Sequence, residues 1–297
     1  SSDLFLLIST SVAYSQSAGN TGLSFLKHGF GARNIAMGDA GTALSNDLTA
    51  LFYNPAKLAL ANNGSEVLFM HNKWIQDVRS EVIGAKTILF GLPIALGFNV
   101  TSVDGIEYRE IPGDPITTFD ANYFYGSLST GFFVTDDITM GAAIKYLYEG
   151  MLNDEAAGFG FDFGINYILP YQGLTASIVL RNVGSMNKLR NESTKLPTEV
   201  RIGTAYTYSL DDSKLDFTGG VEFQKYLDTE DNHFNLGGEV LYDKLIAIRA
   251  GFQSGYEIHG FTAGAGLMWG NLKFDYAFLP FSIGFGNANL FSLQFKF

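Results

Sequence analysis

The chain has 297 residues, with 26 Phe, 15 Tyr, 34 Gly, 7 Pro and no Cys; 16% of residues are charged and the formal net charge is -11. A soluble domain usually carries about a quarter charged residues, the lack of cysteine removes disulfide and thiolate chemistry, and the acidic balance argues against nucleic acid as a partner. Mean hydropathy is slightly positive, yet no run of 18 or more apolar residues follows the N-terminal segment, so a transmembrane helix is excluded and a membrane barrel is indicated.

Residues 1–15 read as a signal-peptide remnant. Leu4 to Ala13 has the length of a signal-peptide core, Ala13-Tyr14-Ser15 fits a small-x-small cleavage site, and Gln16 becomes the mature N-terminus. Neither an initiating Met nor a Lys or Arg precedes that core, which leaves an ordinary buried strand as the other reading. Residues 16–63 follow as a plug or hatch segment, in which residues 29–60 do not alternate. Gly31, Ala32, Arg33, Met37 and Gly38 supply glycine corners and helical turns, and Asn54, Pro55 and Ala56 form a second corner. Asn54 suits an N-cap and Pro55 the first helical position, and Asn46-Asp47 offers a similar start to an earlier turn. The motif is expected to be a structural corner of the plug or part of a gate. The competing reading is a loop with two short helices packed outside a globular domain.

Residues 64–297 read as an all-β transmembrane domain. About fourteen strands alternate apolar and polar residues between turn signals, roughly at 65–74, 80–90, 93–103, 122–133, 138–148, 157–169, 174–182, 197–208, 214–225, 233–241, 244–253, 259–269, 271–279 and 289–297. Connections after even strands are short and those after odd strands mostly longer. Outer-membrane barrels have short periplasmic turns and longer outer loops, so both termini are expected to be periplasmic. The outer loops drawn in this way, including 104–121 and 149–156, carry most of the net negative charge. That acidity suits a basic partner or simple solubility equally well.

Charges on the strands fall mostly opposite the apolar face. Lys145, Arg201, Glu222, Glu239, Arg249 and Asp275 are therefore expected to face the lumen, as are Lys86, Asp162, Arg181, Lys273 and Lys296. A basic residue facing lipid near the midplane would cost about 2–4 kcal/mol. Their mixed signs predict a lumen held partly by ion pairs against the plug. No catalytic site is expected. The four His residues are scattered along the sequence, neither HExxH nor GxSxG occurs, and the Gly-x-Gly pairs sit inside strands, where they relieve crowding in a small barrel. No metal or cofactor is expected.

The stretch GARNIAMGDAGTALSNDLTALFYNPAKLA resembles the N-terminal signature of the PorV/PorQ family of outer-membrane proteins, grouped with FadL-like fourteen-stranded barrels. The resemblance continues in Gly160 to Gly164, Arg181 to Gly184, Leu196-Pro197-Thr198, Ile248 to Gly251 and Asp275 to Phe278. It implies an outer-membrane protein of a Gram-negative-type bacterium, with lipid around the barrel and no enzymatic activity. The preferred role is a component of the type IX secretion system, with a translocon and cargo bearing C-terminal sorting domains as partners. The alternative is a FadL-like transporter that takes a hydrophobic ligand through its lumen.

Overall fold

The computed structural model describes residues 22–61, 64–75, 77–152, 154–189, 192–282 and 284–297. The expected signal segment and its cleavage site lie outside the described residues. The barrel strands are β1 (Glu66–Lys73), β2 (Val78–Leu89), β3 (Leu92–Tyr108), β4 (Thr117–Phe133), β5 (Ile138–Met151), β6 (Asp154–Ile168) and β7 (Leu174–Met186), followed by β8 (Glu199–Leu210), β9 (Leu215–Tyr226), β10 (Asn232–Tyr242), β11 (Ile246–Ser254), β12 (Phe261–Trp269), β13 (Leu272–Pro280) and β14 (Asn287–Lys296). Each pairs antiparallel with its chain neighbours, and β1 closes on β14 with Glu66 opposite Lys296. A short ladder, Lys188–Leu189 with Glu192–Ser193, stands in the connection from β7 to β8.

Period-two alternation decides which face of each strand is which, and here it is inverted relative to a soluble protein. On β11, Ile248 is 69% exposed while its neighbour Arg249 is 2% exposed. Ile246 and Phe252 line the outside with Ile248, and Ala247, Gly251 and Gln253 point inward with Arg249. An exposed apolar band over a buried polar interior is stable only where lipid takes the place of water outside.

One end of the barrel carries the short connections 90–91, 134–137, 169–173, 211–214, 243–245 and 270–271. The opposite end differs from the expected loop pattern. β3 and β4 stay paired out to Tyr108 and Thr117, and β5 and β6 out to Met151 and Asp154, so the expected loops 104–121 and 149–156 are largely strand. Their charges hid them: above the lipid band a strand needs no apolar outer face, and acidic residues such as Asp104 and Glu107 there pair with Arg79 and Arg109.

Residues 22–61 run through the lumen. They form a 3₁₀ turn at Ser24–Lys27, three short helices, α1 (Ala32–Ala36), α2 (Gly41–Leu44) and α3 (Ala50–Tyr53), and a second 3₁₀ turn at Pro55–Ala59. Most of this stretch is buried, and its residues supply much of the core. At its start the Gly22 N–H donates to the Lys195 carbonyl in the long β7–β8 connection, whereas after it the Phe297 N–H donates to the Ser65 carbonyl. Gly22 and Phe297 therefore lie at opposite ends of the barrel.

Candidate functional site

The plug motif is built on close backbone approach. Gly38 has φ +69°, and a Cβ there would meet the Leu236 carbonyl oxygen at 2.3 Å, so only glycine turns this corner. The Gly38 N–H donates to Thr262 Oγ1 at 3.0 Å, and Thr262 Oγ1 donates to the Ala36 carbonyl at 3.0 Å. Met37, fully buried, presses its carbonyl to where a Gly237 Cβ would stand, 2.1 Å away. Gly31 opens α1 with φ +92°, and Ala32 is wholly buried.

At the second corner Asn54 Oδ1 accepts the Ala56 N–H at 3.0 Å, with Pro55 at the first position of the turn. Asn54 Nδ2 also reaches the Thr42 and Ile165 carbonyls, each at 3.4 Å. The wall glycines Gly131, Gly141 and Gly164 face this corner, and a Cβ on any of them would fall within 2.6 Å of Pro55 or Asn54 atoms. These glycines act as sockets for the plug. At the other expected capping site it is Asp47 that caps, accepting the Thr49 N–H at 3.0 Å, while Asn46 is exposed. Asn54→Ala is expected to lower stability by about 1 kcal/mol through the lost cap, read as a lower unfolding midpoint in detergent. Bilayer conductance that rises with it would give the corner a gating role, and unchanged conductance would limit it to capping.

The six charges expected in the lumen are all buried, and they fall into two networks joined to the plug. In the first, Arg33 of α1 makes a two-bond fork to Glu239, with Nη2 to Oε1 at 2.8 Å and Nε to Oε2 at 3.0 Å. Arg249 reaches Glu239 at 2.5 Å and Asp275 at 2.8 Å, and Lys273 joins Asp275 at 3.4 Å to Asp47 at 2.7 Å. In the second, Arg201 Nη1 lies 3.1 Å from Glu222 and 3.3 Å from Asp39, and its Nε lies 3.1 Å from Glu199. Arg181 links Glu199, at 2.7 Å, to Asp162, which Lys145 contacts at 2.5 Å. Asp39 and Glu199 complete these contacts without having been singled out from the sequence, and Asp47, read there only as a cap, completes them as an ion-pair partner. Asp39 and Asp47 lie in the stretch without alternation, where no period marks which way a side chain points.

No protein-family model matches the chain, and no curated protein sequence does. Solved structures match it at the level of fold. The CymD monoaromatic hydrocarbon channel superposes with a TM-score of 0.64 at 11% identity, over 91% of this chain and 98% of its own. The toluene transporter TodX of P. putida gives a TM-score of 0.64 at 11% identity, over 91% of this chain and 99% of its own. The chain has the FadL-like outer-membrane barrel fold. The narrower resemblance to the PorV/PorQ family draws no support from these matches.

Within this FadL-like barrel the plug is held unequally. Toward β1 and β8–β13 it is fixed by Arg33–Glu239, Asp39–Arg201 and Asp47–Lys273, by the Thr42 N–H to Glu222 at 2.8 Å, and by the Leu48 N–H to Glu66 at 3.1 Å. Toward β3–β6, among the described residues, the only side-chain hydrogen bond from the plug is the long one from Asn54 to Ile165. On that side the contacts of the plug itself are mainly apolar, although the wall also buries polar side chains such as Asn99, Ser129, Thr139 and Asn166. Phe30 stacks on Phe52 at 4.8 Å and lies 6.0 Å from Tyr125, and Phe25 lies 5.6 Å from Tyr123. Leu51, Leu58, Ala95, Leu147, Ala156 and Met186 continue the same cluster.

Two histidines that are far apart in the sequence meet at the long-hairpin end. Tyr256 is sandwiched between His233 at 3.9 Å and His259 at 4.3 Å, and His28 of the plug stacks on Trp74 at 4.5 Å. Tertiary closure of the β9–β10 and β11–β12 connections makes this grouping, and no sequence spacing announces it.

Proposed function

We propose that the protein is a non-enzymatic outer-membrane barrel that passes small hydrophobic molecules along the apolar half of its lumen, between the plug and β3–β6. The observation that carries this reading is the unequal seating of the plug. Ion pairs and hydrogen bonds fix it on one side, while aromatic and aliphatic side chains face it on the other, where contacts part without leaving a buried charge unpaired. The names of the fold neighbours, a monoaromatic hydrocarbon channel and a toluene transporter, agree with it. The type IX secretion role rests on the sequence resemblance alone, and neither a translocon nor sorting-domain cargo gains support from the fold.

Two cysteine pairs test the reading in a chain that has no cysteine of its own. Ala43→Cys with Gly203→Cys joins plug to wall on the anchored side, where the Cβ atoms would stand 3.6 Å apart, within disulfide range. Leu51→Cys with Gly97→Cys joins them on the apolar side, where Leu51 Cδ1 lies 2.6 Å from the Gly97 Cβ position. Oxidising the second pair, or bridging it with a short bis-methanethiosulfonate, is expected to stop toluene flux into proteoliposomes reversibly, while the first pair leaves flux unchanged. Flux that survives both bridges, or that equals empty vesicles without either, would remove the proposal. Capture of sorting-domain proteins by the purified barrel would restore the secretion role.

A further inference from the structure

We propose that the outer wall at β1–β2 holds a phosphorylated membrane lipid, with its phosphate on Lys73 and Arg79 and an acyl chain in the groove beside them. Both side chains are exposed on the outer face, and the register sets them directly opposite each other on the two strands. Among the described residues this is the only strand-paired position where two basic side chains meet. Like charges so placed repel, and an anion between them removes the repulsion. Arg79 also contacts Asp104 of β3, whereas no carboxylate oxygen among the described residues stands within 4.0 Å of the Lys73 amine. Asp77, in the connection between the two strands, ion-pairs with neither cation.

The groove is the second, independent observation. Its volume is 450 Å³, in the range of about 300–1,000 Å³ common for small-ligand sites. Phe69, Ile83, Phe98, Phe274, Phe291 and Leu293 line it, and its edge toward the long-hairpin end is the contact of His71 with Glu81 at 2.6 Å. Lys73 and Arg79 stand one outward step beyond that edge, about 7 Å along the strands. From the long-hairpin end inward, the paired outer residues thus read Lys73–Arg79, His71–Glu81 and Phe69–Ile83. Two cations, a hydrogen-bonding pair and an apolar groove follow in the order in which a lipid presents its phosphate, its polar linkage and its chains. The acid on the middle step, Glu81, is held by His71. At the same end the extensions of β3–β6 carry Asp104, Glu107, Asp120, Asp154 and Glu155, so an anionic head group is directed away from them and toward β1–β2.

Equilibrium titration of the barrel in a nonionic detergent tests the site. The probes are phosphatidic acid, diacylglycerol with the same chains, and inorganic phosphate. Phosphatidic acid is expected to bind saturably and at least tenfold more tightly than either of the others. Lys73→Gln should weaken it about fivefold or more and leave diacylglycerol unchanged, whereas Ile83→Trp, which fills the groove, should weaken both lipids. Lys225→Gln is the control. It removes an exposed cation from the outer face of β9, where the residue opposite is Asn232, and should bind phosphatidic acid as wild type does. All three substitutions lie on the outer wall, and an unchanged unfolding midpoint verifies that each barrel is intact. Wild-type binding by Lys73→Gln, an equal loss in Lys225→Gln, or diacylglycerol or free phosphate binding as tightly as phosphatidic acid would overturn the site. None of these outcomes bears on hydrocarbon flux through the lumen, which stands or falls on its own test.

Discussion

Replacing Arg201 with Met is expected to unseat the plug. The substitution leaves Glu199, Asp39 and Glu222, at present 3.1–3.3 Å from the guanidinium, facing one another in a closed lumen. Removing one partner of a buried ion pair typically costs about 3–5 kcal/mol, and here three carboxylates lose the same cation. Because Asp39 belongs to the plug while Glu199 and Glu222 belong to β8 and β9, repulsion drives the two apart. The checks are a lower unfolding midpoint and a higher single-channel conductance in planar bilayers. Adding Asp39→Asn and Glu222→Gln to the same protein should recover much of both, since the repelling charges are then gone. A variant with wild-type conductance and midpoint would show that the network contributes little to seating.

Gly141→Val is expected to have an effect of similar size by a different route. Its Cβ would stand 2.3 Å from the Ala56 nitrogen and from the Pro55 carbonyl carbon. Both are backbone atoms of the plug, so no side-chain rotation relieves the overlap. Overpacking of this kind costs about 1–3 kcal/mol or more, and withdrawal of the Pro55–Ala59 turn is the simplest relief. Trypsin reports it directly, since Arg33 and Lys57 are 5% exposed each and are protected while the plug is seated. Rapid cleavage at Lys57 in Gly141→Val, with none in wild type, is the expected result. Gly160→Ala serves as the control, because the nearest atoms to its Cβ position are at ordinary contact distance, 3.6 Å. Equal protection in both variants would mean that the sockets do not hold the plug.

The strands were legible because a membrane barrel wall is the simplest periodic object a chain can make. Ile248 and Arg249 alternate in sequence as they alternate between lipid and lumen. The same signal failed above the lipid band, where Asp104, Glu107, Asp154 and Glu155 break the alternation while β3 still pairs with β4 on both sides of a bulge at Asp104 and β5 still pairs with β6. Inward charges such as Arg201 and Glu239 could be assigned a face, but not a partner, because the partner depends on how the plug is rotated inside the wall. The glycines show the same limit. Gly131 and Gly141 look like any strand glycines until Pro55 and Ala56 are placed against them.

Glu66 gives the wall and the plug a common fate. It is the first residue of β1, it accepts the Leu48 N–H of the plug at 3.1 Å and Lys86 of β2 at 3.3 Å, and it faces Lys296 of β14 at 3.8 Å across the seam. The two strands that meet there are the first and the last, so the seam is the longest-range strand pairing of the wall and of the slow kind to form. One carboxylate thus reads two late events at once, the arrival of the last strand and the presence of the plug behind it. A barrel that zipped shut around an empty lumen would leave Glu66 without its Leu48 partner, so assembly favours loading the lumen before the seam is sealed.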